Sequence, residues 1–464
     1  MSKNKTAAVL GFGVTGRALL DFLLQNPTCR EKYDKIFLYN DYPIKDKEKM
    51  QFYQARGVKF LSGREKFAGL EQAGVIILSP GINSRDSRFD SIRKKGGEIL
   101  SEIEFSSRFF HARVVSVTGT NGKSTTVSLL HHILKENGFN SLLLGNIGKP
   151  LISEVDNISK DAIVVLELSS FQLEEIVEFK SHIALLLNVT PDHLDRYSSP
   201  ADYFSAKQNI FKNQDEKDYM VLNRDDPLIK AKVFDFGPGI QTWFSMSGSE
   251  MKGRGGAYLE NDAIVLKTRA RIKRISLKNN PLRGLHNLQN ILAAVTAAAI
   301  LKVDVKGIEA GIASFKGLPH RMEAAGKVGP VEFINDSKAT NVDAALKSIS
   351  SINGELVLIL GGKDKGGDFE LLETPIKKKA NKVLLVGAAA ETIYDQLPHS
   401  KEKIIFVKDF AEAVPVGYSH LKESGGTVLL APGCASFDMF DNFEHRGEVF
   451  KQEVRTLQEK IAHG

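Results

Sequence analysis

The sequence lacks the features of secreted and membrane-spanning proteins. Only Cys29 and Cys434 are present in 464 residues, too few for a disulfide framework, so we expect a reducing cytosol. The longest weakly polar stretch, residues 291–301, is alanine-rich, contains Thr296 and is too short to cross a bilayer. The apolar run after Lys5 leads into a glycine-rich turn instead of a small-residue cleavage site, which argues against a secretory leader.

The chain also lacks a strong excess of either charge. Lysine and arginine number 62 against 56 aspartates and glutamates, a formal net charge of +6. A nucleic-acid-binding protein needs a concentrated basic face, so this thin surplus favours local pockets for anionic ligands. The basic cluster at residues 267–274 has no interleaved aromatic residues for base stacking, and we interpret it as a solvated strand edge.

The composition and pattern that are present indicate an α/β protein. Hydrophobic residues make up 42% and charged residues 25% of the chain, which is ordinary for globular proteins, and a prior of roughly 150 residues per domain suggests about three domains. Short β-branched or leucine-rich runs alternate with longer helical stretches, as in βαβ units with parallel sheets. The candidate strands lie at residues 7–10, 35–39, 74–78, 114–117, 162–166, 183–188, 355–360, 382–386, 403–407 and 426–430.

A different composition separates the first six of these strands from the last four. Residues 245–280 are rich in glycine, serine and lysine. The alternating run at residues 263–266 within this segment predicts an exposed hairpin.

The strongest chemical signal is a glycine-rich loop, GTNGKST, at residues 119–125. It follows a predicted strand and precedes a helical stretch, so it points backbone N–H groups and a helix N-terminus at phosphate. Lys123 can neutralise phosphate charge, and the Ser124 hydroxyl can ligate Mg²⁺. Val117 takes the place of the first glycine of the general P-loop pattern. The sequence therefore predicts a nucleotide triphosphate loop of the shorter G-x-x-G-K-S form.

A second glycine motif, GFGVTG, occupies residues 11–16, and Asp41 lies at the end of the next strand. The pattern matches a dinucleotide-binding fingerprint, but the same geometry binds any diphosphate at a helix N-terminus. Structural glycines and a cofactor site remain equal alternatives on the residues alone. A nicotinamide-dependent dehydrogenase would rest on this motif and would leave the loop at residues 119–125 unexplained.

Polar residues follow the later strands. Glu167 stands at a strand end after the phosphate loop, where a Mg²⁺ ligand belongs. His193, in the next turn, can bind metal or only donate a hydrogen bond, and Lys207 lies on a helix, where a surface salt bridge is the simple interpretation. Asn287 and Asn290 lie three residues apart on one helix face, where their amides can read a purine edge or cap the helix.

The C-terminal third carries further polar segments. Residues 335–341 gather polar groups directly after a strand, and residues 361–367 hold Lys363 and Lys365 in a glycine-rich loop that can also be a solvated turn. Cys434 follows the last strand. No partner base is evident for it, so we interpret it as a small buried hydrophobic residue and not as a nucleophile.

Taken in order, the motifs resemble those of the Mur ligases, the ATP-dependent amide-forming enzymes of peptidoglycan precursor synthesis, along the whole chain. The segments NDSKATN (335–341), 435–440 and NFEHRG (442–447) resemble those of the D-glutamate-adding members. The resemblance implies an α/β fold of three domains: a Rossmann-like domain for the UDP substrate at residues 1–101, a central P-loop ATPase-type domain with a mostly parallel sheet at 102–317, and a Rossmann-like domain for the amino acid at 318–464.

The resemblance implies an amide ligase that uses ATP and two Mg²⁺ ions to add D-glutamate to UDP-N-acetylmuramoyl-L-alanine through an acyl phosphate, in the cytoplasm. It also implies a carboxylated Lys207, because CO₂ addition turns a repelled cation into an anionic oxygen ligand. The predicted partners are the two substrates, with no nucleic acid and no membrane span, and the predicted state is a monomer.

Three other functions are weaker alternatives. Folylpolyglutamate synthetases and sister Mur ligases share the phosphate loop, but the UDP-type N-terminal domain and the segment at residues 335–341 argue against them. A non-catalytic nucleotide switch would keep Lys123 and Ser124 but would not need an amino-acid cluster near Ser436.

By match to the family pattern, the resemblance assigns a role to each of the following residues. The UDP-substrate contacts are Val14, Thr15, Asp41, Gly81 and Asn146. The ATP contacts are Gly119, Thr120, Asn121, Gly122, Lys123, Ser124, Thr125, Asn287, Asn290, Arg321 and Asp336. The D-glutamate contacts are Lys338, Thr340, Lys365 (with Lys363 as the alternative), Ser436, Phe437 and Phe443. The catalytic residues are Lys123, Glu167, His193 and Lys207, and the metal ligands are Ser124, Glu167, His193 and Lys207.

Overall fold

The computed structural model describes residues 5–44, 46–71, 73–193, 196–251, 255–267, 272–282 and 284–463. These residues form three α/β units, each built around one sheet, with five, nine and six strands in the described part of the chain. The α/β class and the three-domain organisation predicted from the sequence are confirmed. The bounds at residues 101 and 317 stay predictions.

The N-terminal unit is a parallel sheet whose strands alternate with helices. Its elements are β1 (Thr6–Leu10), α1 (Val14–Gln25), α2 (Pro27–Lys32), β2 (Lys35–Asn40), α3 (Lys47–Gln54), β3 (Lys59–Ser62), β4 (Val75–Leu78), α4 (Asp90–Lys94) and β5 (Glu98–Ser101). The strand order is β3-β2-β1-β4-β5. β1 and β4 lie in the middle and are buried on both faces, which explains their continuous apolar runs.

The central unit contains the phosphate loop. Its first elements are α5 (Glu102–Ser107), β6 (Arg113–Thr118), α6 (Lys123–Glu136), β7 (Ser141–Gly145), β8 (Ile163–Glu167), α7 (Ser170–Glu174), β9 (Ile183–Leu186), α8 (Pro200–Gln208), β10 (Tyr219–Asn223) and α9 (Pro227–Lys232). The remaining elements are β11 (Ile240–Ser245), β12 (Gly256–Glu260), β13 (Ala263–Lys267), β14 (Ile272–Ser276), α10 (Leu285–Ile300) and α11 (Val305–Ser314). The order β14-β13-β12-β11-β10-β9-β6-β8-β7 is parallel except for the antiparallel pairs β12-β13 and β13-β14.

The C-terminal unit is again mostly parallel. Its elements are β15 (Glu323–Val328), β16 (Val331–Asn335), α12 (Val342–Ser351), β17 (Leu356–Gly361), α13 (Glu373–Lys379), β18 (Ala380–Val386), α14 (Ala390–Gln396), β19 (Ile404–Phe406), α15 (Phe410–Leu421), β20 (Gly426–Leu430) and α16 (Phe443–His463). The order is β15-β16-β20-β17-β18-β19, and only the edge strand β15 pairs antiparallel within the described residues. Loops that follow β16, β17 and β20 therefore meet at one edge of the sheet.

The hairpin predicted at residues 263–266 is confirmed, because β12 and β13 pair antiparallel on either side of residues 261–262, but its predicted exposure is wrong. β13 is the middle strand of the antiparallel group, and Ile264 and Leu266 are buried in the same core cluster as Val295 of α10. Val265 between them is buried as well, so both faces of this strand are covered. Of the basic cluster at 267–274, residues 268–271 lie outside the described residues, whereas Lys273 and Arg274 are exposed on the edge strand β14, as predicted for a solvated strand edge.

Two buried carboxylates fix α5, which directly follows β5 of the N-terminal unit, to the rest of the central unit. Glu104 Oε2 accepts hydrogen bonds from the three backbone N–H groups of residues 177–179, at 2.8–3.0 Å. Glu102 Oε1 accepts one from the Ile152 N–H at 2.7 Å, and burial raises the pKa of Glu102 to about 7. One hydrophobic core cluster contains residues of both sheets. Within the described residues, no helix is both long and apolar enough to cross a membrane.

Candidate functional site

The predicted phosphate and metal residues lie where the central strands of the second sheet end. β6 and β8 are neighbours, and so are β6 and β9, all parallel. Because parallel strands run in the same direction, their carboxyl ends meet at one edge. The phosphate loop follows β6, Glu167 ends β8, and the turn with His193 follows β9.

The phosphate loop has the backbone shape that its glycines predict. Gly122 precedes α6 with φ of 87°, and a Cβ at this position would lie 2.1 Å from Asn290 Oδ1, so only glycine fits. No side chain caps the N-terminus of α6, which leaves its first N–H groups available to a phosphate. Lys123 Nζ donates to the carbonyl oxygens of Gly119 and Thr120, at 2.9 Å each. The ammonium group therefore lies directly over the loop.

Glu167 is a buried carboxylate with one oxygen unpaired. Its Oε1 accepts a hydrogen bond from Asn146 Nδ2 at 2.9 Å, whereas its Oε2 is buried without a hydrogen-bond partner among the described residues. A buried carboxylate oxygen without a partner is costly unless it meets a cation or a proton. Ser124, on the first turn of α6, is also buried. Across the described residues, no three or more His, Cys, Asp or Glu side chains form a group that could hold a metal ion. Glu167 is therefore not part of such a cluster.

Lys207 and His193 share one aromatic neighbour. Lys207 is 1% exposed, its Nζ donates to the Gly119 carbonyl at 2.9 Å, and it lies 4.4 Å from the centre of the Tyr203 ring. The His193 ring centre is 6.2 Å from that of Tyr203. Burial, and then the charge of Lys123, hold the pKa of Lys207 well below its usual range. The interpretation of Lys207 as part of a surface salt bridge is therefore wrong.

A pocket opens between the phosphate loop, the start of α10 and the C-terminal unit. It is lined by Asn121, Gly122, Asn188, His286, Gln289, Asn290, Arg321, Asp336, Lys338, Ala339, Ala344, Lys347 and Ser348. Asn290 lines this pocket, and its Nδ2 donates to Asn287 Oδ1 at 3.2 Å, so the two predicted amides are in contact. They do not cap α10, whose N-cap is Gly284. The helix-cap alternative is therefore wrong.

Arg321 and Asp336 bring the C-terminal unit to this pocket. The Nε atom of Arg321 is buried without a hydrogen-bond partner among the described residues. Asp336 accepts hydrogen bonds from the Met322 N–H at 3.2 Å and from the Ser348 hydroxyl, and burial raises the pKa of Asp336. The pocket thus offers an unpaired guanidinium N–H and a carboxyl group to one ligand.

Sequence reasoning assigned no role to two ionisable residues of the pocket. Burial, followed by the charges of Arg321 and Lys347, lowers the pKa of His286 to about 4, so this imidazole is neutral at pH 7. Lys347 Nζ pairs with Asp343 at 2.8 Å. His286 directly precedes Asn287, and this adjacency was a usable signal. No sequence signal identified Lys347, because only the packing of α12 near α10 brings this side chain to the pocket.

The residues predicted to bind D-glutamate lie in loops at the edge of the third sheet. Lys338 Nζ is 3.7 Å from the centre of the Phe443 ring, and burial lowers the pKa of Lys338 to about 8. Thr340 is half-buried, and the Lys338 carbonyl accepts a hydrogen bond from its N–H at 2.8 Å. Ser436 is buried, whereas its neighbour Phe437 is 69% exposed. Of these residues, Lys338 and Phe443 are thus in side-chain contact, whereas a shared binding space for the whole set stays a prediction.

A buried arginine, to which the sequence assigned no role, joins these loops. Arg446 is 1% exposed and donates hydrogen bonds to the Ser337 carbonyl at 2.8 Å, to the Cys434 carbonyl at 3.1 Å and to the Ala435 carbonyl at 3.3 Å. Cys434 itself is buried, as predicted. Arg446 lies in the NFEHRG segment, but its orientation toward these carbonyls is decided by the packing of α16.

The side chains of the two lysines in the loop at residues 361–367 have different surroundings. Lys365 Nζ lies 3.5 Å from Asp192 Oδ1 of the central unit, whereas Lys363 is exposed and its backbone pairs with Ala435. Asn341 Nδ2 donates to Asp192 Oδ2 at 3.0 Å. The loop is therefore not merely a solvated turn, and Lys365 is the lysine that reaches the central unit.

The glycine motif of the N-terminal unit also forms a helix start. A Cβ at Gly16 would lie 1.8 Å from the Gly11 carbonyl oxygen, so glycine is needed there. Val14 at the start of α1 is 65% exposed, Thr15 is half-buried and Gly81 is exposed. No side chain caps the N-terminus of α1, which leaves N–H groups available to a diphosphate.

Asp41 is already paired within the N-terminal unit. Its two oxygens accept hydrogen bonds from Arg88 at 2.7 and 3.2 Å, and Oδ1 also accepts one from the Tyr39 hydroxyl at 2.7 Å. The hydrogen bond from Arg88 is the main cause that holds the pKa of Asp41 below its usual range. Asp41 is therefore ionised and fixed in direction.

Two family models match the chain. The one described as Mur ligase middle domain matches residues 117–298, and the one described as Mur ligase, glutamate ligase domain, matches residues 320–434. A UDP-N-acetylmuramoylalanine--D-glutamate ligase of Thermoanaerobacter sp. (strain X514) is 37% identical over 98% of this chain and 99% of the relative. One of Solibacter usitatus (strain Ellin6076) is 42% identical over 85% of this chain and 87% of the relative.

Solved structures show the same fold. A pseudomurein peptide ligase type C from Methanothermus fervidus has a TM-score of 0.61 at 20% identity, over 98% of this chain and 100% of that one. The MurF ligase from Thermotoga maritima in complex with ADP has a TM-score of 0.60 at 19% identity, over 91% of this chain and 95% of that one. With relatives above 30% identity along nearly its whole length, the chain belongs to the Mur ligase family.

Proposed function

We propose that this chain is an ATP-dependent ligase that adds D-glutamate to UDP-N-acetylmuramoyl-L-alanine and gives ADP and phosphate. The observation that carries the proposal is the meeting of two loop sets: the phosphate loop with Glu167, and the C-terminal loops with Lys338 and Lys365. Lys365 reaches Asp192 beside His193, so amino-acid and phosphate chemistry share one space. The names of the relatives, which are D-glutamate ligases, support this substrate.

ATP fits the pocket next to the phosphate loop. Its phosphates would accept hydrogen bonds from the N-terminus of α6 and from Lys123, and the unpaired Nε of Arg321 would meet the γ-phosphate. The buried amides of Asn287 and Asn290 would read the adenine edge, and Asp336 the ribose hydroxyls. The remaining loop residues predicted to contact ATP, which hold the phosphates in place, are Gly119, Thr120, Asn121, Gly122, Ser124 and Thr125.

The donor set of the site fits Mg²⁺. Glu167 Oε2 is a buried anionic oxygen that no other described group pairs, and hard oxygen donors are what Mg²⁺ prefers. We propose that Ser124 and Glu167 hold one ion, and that His193 and a carboxylated Lys207 hold a second. Bound there, the ions would supply positive charge to the phosphate oxygens.

Carboxylation of Lys207 follows from its surroundings. Burial and the charge of Lys123 favour the neutral amine against the opposing charges of Asp192 and Glu167, and only the neutral amine adds to CO₂, with loss of one proton to water. The resulting carbamate is anionic. A lysine ammonium at this position would repel Mg²⁺, whereas the carbamate attracts it.

The UDP substrate is proposed to run from the N-terminal unit to the central site. The N-terminus of α1 would hold the diphosphate. Val14, Thr15 and Asp41 would contact the uracil side, and Gly81 and Asn146 would hold the UDP-muramoyl substrate. Asn146 is hydrogen-bonded to Glu167, so it would place the reacting carboxylate of the substrate next to the phosphate loop.

D-Glutamate has two carboxylates, which need cationic and hydroxyl donors. Lys338 and Lys365 would supply the cations, and Thr340 and Ser436 the hydroxyl groups. Phe437 and Phe443 would cover the carbon chain. Arg446 would keep the loops of Ser337 and Ala435 at a fixed distance, because it donates to both carbonyls.

The proposed reaction has two steps. The substrate carboxylate attacks the γ-phosphate of ATP and ADP leaves, with Lys123 neutralising the charge that develops. The amine of D-glutamate then attacks the acyl carbon of the acyl phosphate and phosphate leaves. Contacts between the central and C-terminal units, such as Asn341 with Asp192, would exclude water, which otherwise hydrolyses the acyl phosphate.

Phosphate release from ATP tests the proposal when UDP-N-acetylmuramoyl-L-alanine and D-glutamate are supplied singly and together. We expect turnover only with both. Equal turnover without D-glutamate, or with L-lysine or a diamino acid in its place, contradicts the proposal. Lys123→Ala is the matched inactive control.

We also propose that the chain acts as a cytoplasmic monomer without a nucleic-acid partner. Its two cysteines are free and buried, as suits a reducing compartment. Light scattering after size exclusion should give the mass of one chain, and the mass of two chains contradicts the monomer.

A further inference from the structure

Arg196 is a buried arginine at the contact between the N-terminal and central units. Its side chain is 10% exposed and pairs with Glu174, whose side chain is 5% exposed. Nη2 also donates to the Ile82 carbonyl oxygen at 3.2 Å, and the guanidinium carbon lies 3.9 Å from the centre of the Phe171 ring. The guanidinium of Arg196 thus contacts a carboxylate, a carbonyl oxygen and an aromatic ring at once.

The N-terminal side of this contact is the loop after β4. Ile82 follows Gly81, which is predicted to contact the UDP substrate, and the Ser84 hydroxyl donates to Glu174 Oε2 at 2.6 Å. Two hydrogen bonds therefore attach this loop, residues 81–84, to the Arg196–Glu174 pair. We call residues 81–84 the substrate loop.

The central side of the contact is the turn that carries His193. The backbone N–H of Arg196 donates to the His193 carbonyl at 3.0 Å, and the Phe171 ring, on which Arg196 stacks, lies 4.9 Å from the His193 ring. His193 has φ of 55°, a conformation that residues other than glycine seldom adopt. Such a backbone persists only where its surroundings hold it.

We infer that Arg196 is a positioning residue that fixes the turn of His193 relative to the substrate loop, and so couples binding of the UDP substrate to the metal ligand. The inference rests on the proposed function. Arg196 contacts both Glu174 and Ile82 through Nη2, while its planar guanidinium lies over the Phe171 ring and its Nε is buried without a hydrogen-bond partner among the described residues. A lysine ammonium has no planar face to lie over that ring.

The test compares three single variants and the double variant Arg196→Lys/Glu174→Gln. Arg196→Lys keeps the charge and removes the planar fork, and Glu174→Gln removes the anion that faces Arg196. The matched control is Arg93→Lys, because Arg93 also crosses the same contact between units: it donates to the Ser84 carbonyl at 3.0 Å and pairs with Glu175 at 2.7 Å. No contact of Arg93 with His193 is present among the described residues.

Three quantities are measured for each variant. Electron paramagnetic resonance in bicarbonate buffer gives the affinity for Mn²⁺, which serves as the metal probe. Calorimetry in the absence of metal ions gives the affinity for UDP-N-acetylmuramoyl-L-alanine, and a melting scan gives the thermal midpoint. For Arg196→Lys we expect both affinities to fall about tenfold. Glu174→Gln should act in the same direction, and the double variant should lose less than the sum of the two changes. Arg93→Lys should leave the affinity for Mn²⁺ within about twofold of that of the unchanged chain, because Arg93 does not contact the residues that orient His193 within the described structure.

Equal Mn²⁺ affinity in Arg196→Lys, Arg93→Lys and the unchanged chain would overturn the inference. If Arg196→Lys does not fold, Glu174→Gln decides the question by the same comparison. Failure of the proposed function is a separate result, because it appears as absent D-glutamate-dependent phosphate release in the unchanged chain.

Discussion

Asp343 of the C-terminal unit accepts a hydrogen bond from Asn121 of the phosphate loop, with 2.5 Å between Oδ2 and Nδ2. The same oxygen lies 3.4 Å from the Thr190 hydroxyl, which follows β9, and 2.8 Å from Lys347 Nζ. One carboxylate thus links two loops of the central unit to α12. This link holds the C-terminal unit over the phosphate site.

Removal of this carboxylate should open the molecule. A hydrogen bond to a charged group is worth about 1.5–3 kcal/mol, so Asp343→Ala should shift the ratio of closed to open chains by about tenfold or more. Small-angle X-ray scattering of the ligand-free protein should show a larger radius of gyration. Asp441→Ala is the control, since that side chain is 88% exposed and pairs only with His445 in the described structure. An unchanged radius for Asp343→Ala contradicts the prediction.

Glu167→Gln should separate stability from activity. The amide oxygen can still accept the hydrogen bond from Asn146, and the unpaired buried charge disappears, so the thermal midpoint should stay or rise. Phosphate release should fall by at least about a hundredfold, because a ligand matters more than the groups that support it. A melting scan and a Mg²⁺ titration of activity check both halves. A large loss of stability would show that Glu167 is structural.

Lys207 should carry one added CO₂ when the protein is handled in bicarbonate without acid. Burial favours the neutral form of its amine, which lies against the Gly119 carbonyl and the Tyr203 ring. Intact mass of a fragment that spans Lys207 checks the modification, with a fragment that spans the exposed Lys363 as the control. Absence of the added mass together with full activity in CO₂-free buffer contradicts it.

D-Glutamate should bind less well in alkali. The pKa of Lys338 is lowered to about 8 by burial, so the ammonium that would meet a carboxylate loses its charge as the pH rises through that value. The KM for D-glutamate should therefore rise above about pH 8, while the KM for ATP should change less. Lys338→Arg should move this rise to higher pH, because arginine does not titrate there. An identical pH profile in that variant would falsify the assignment.

The two lysines of the loop after β17 should behave differently. Lys365→Ala should raise the KM for D-glutamate by about tenfold or more, since a charge-assisted hydrogen bond to a carboxylate is worth about 1.5–3 kcal/mol. Lys363→Ala should leave it within about twofold, as for other exposed charges. Steady-state kinetics with varied D-glutamate checks both variants, and the reverse order would assign the role to Lys363.

Much of the fold followed from local sequence. The strands at residues 7–10, 114–117 and 426–430 are mostly apolar, because a parallel strand covered by helices on both faces has no polar side. The strand β15 was not predicted, since its sequence, EAAGKV, has little β character and it pairs only along one edge. β13 was predicted to be exposed, because an alternating run of four residues does not record which other elements cover the strand.

The candidate site divides in the same way. The sequence by itself determined the phosphate loop, since glycines at a strand-to-helix turn and Lys123 act within a few residues of one another. Only the tertiary structure decided that Lys207 is buried, that Lys365 and not Lys363 reaches Asp192, and that Arg196 and Arg446 support the loops. The physical reason is that burial and long side-chain contacts depend on elements far apart in the chain, whose packing no local pattern records.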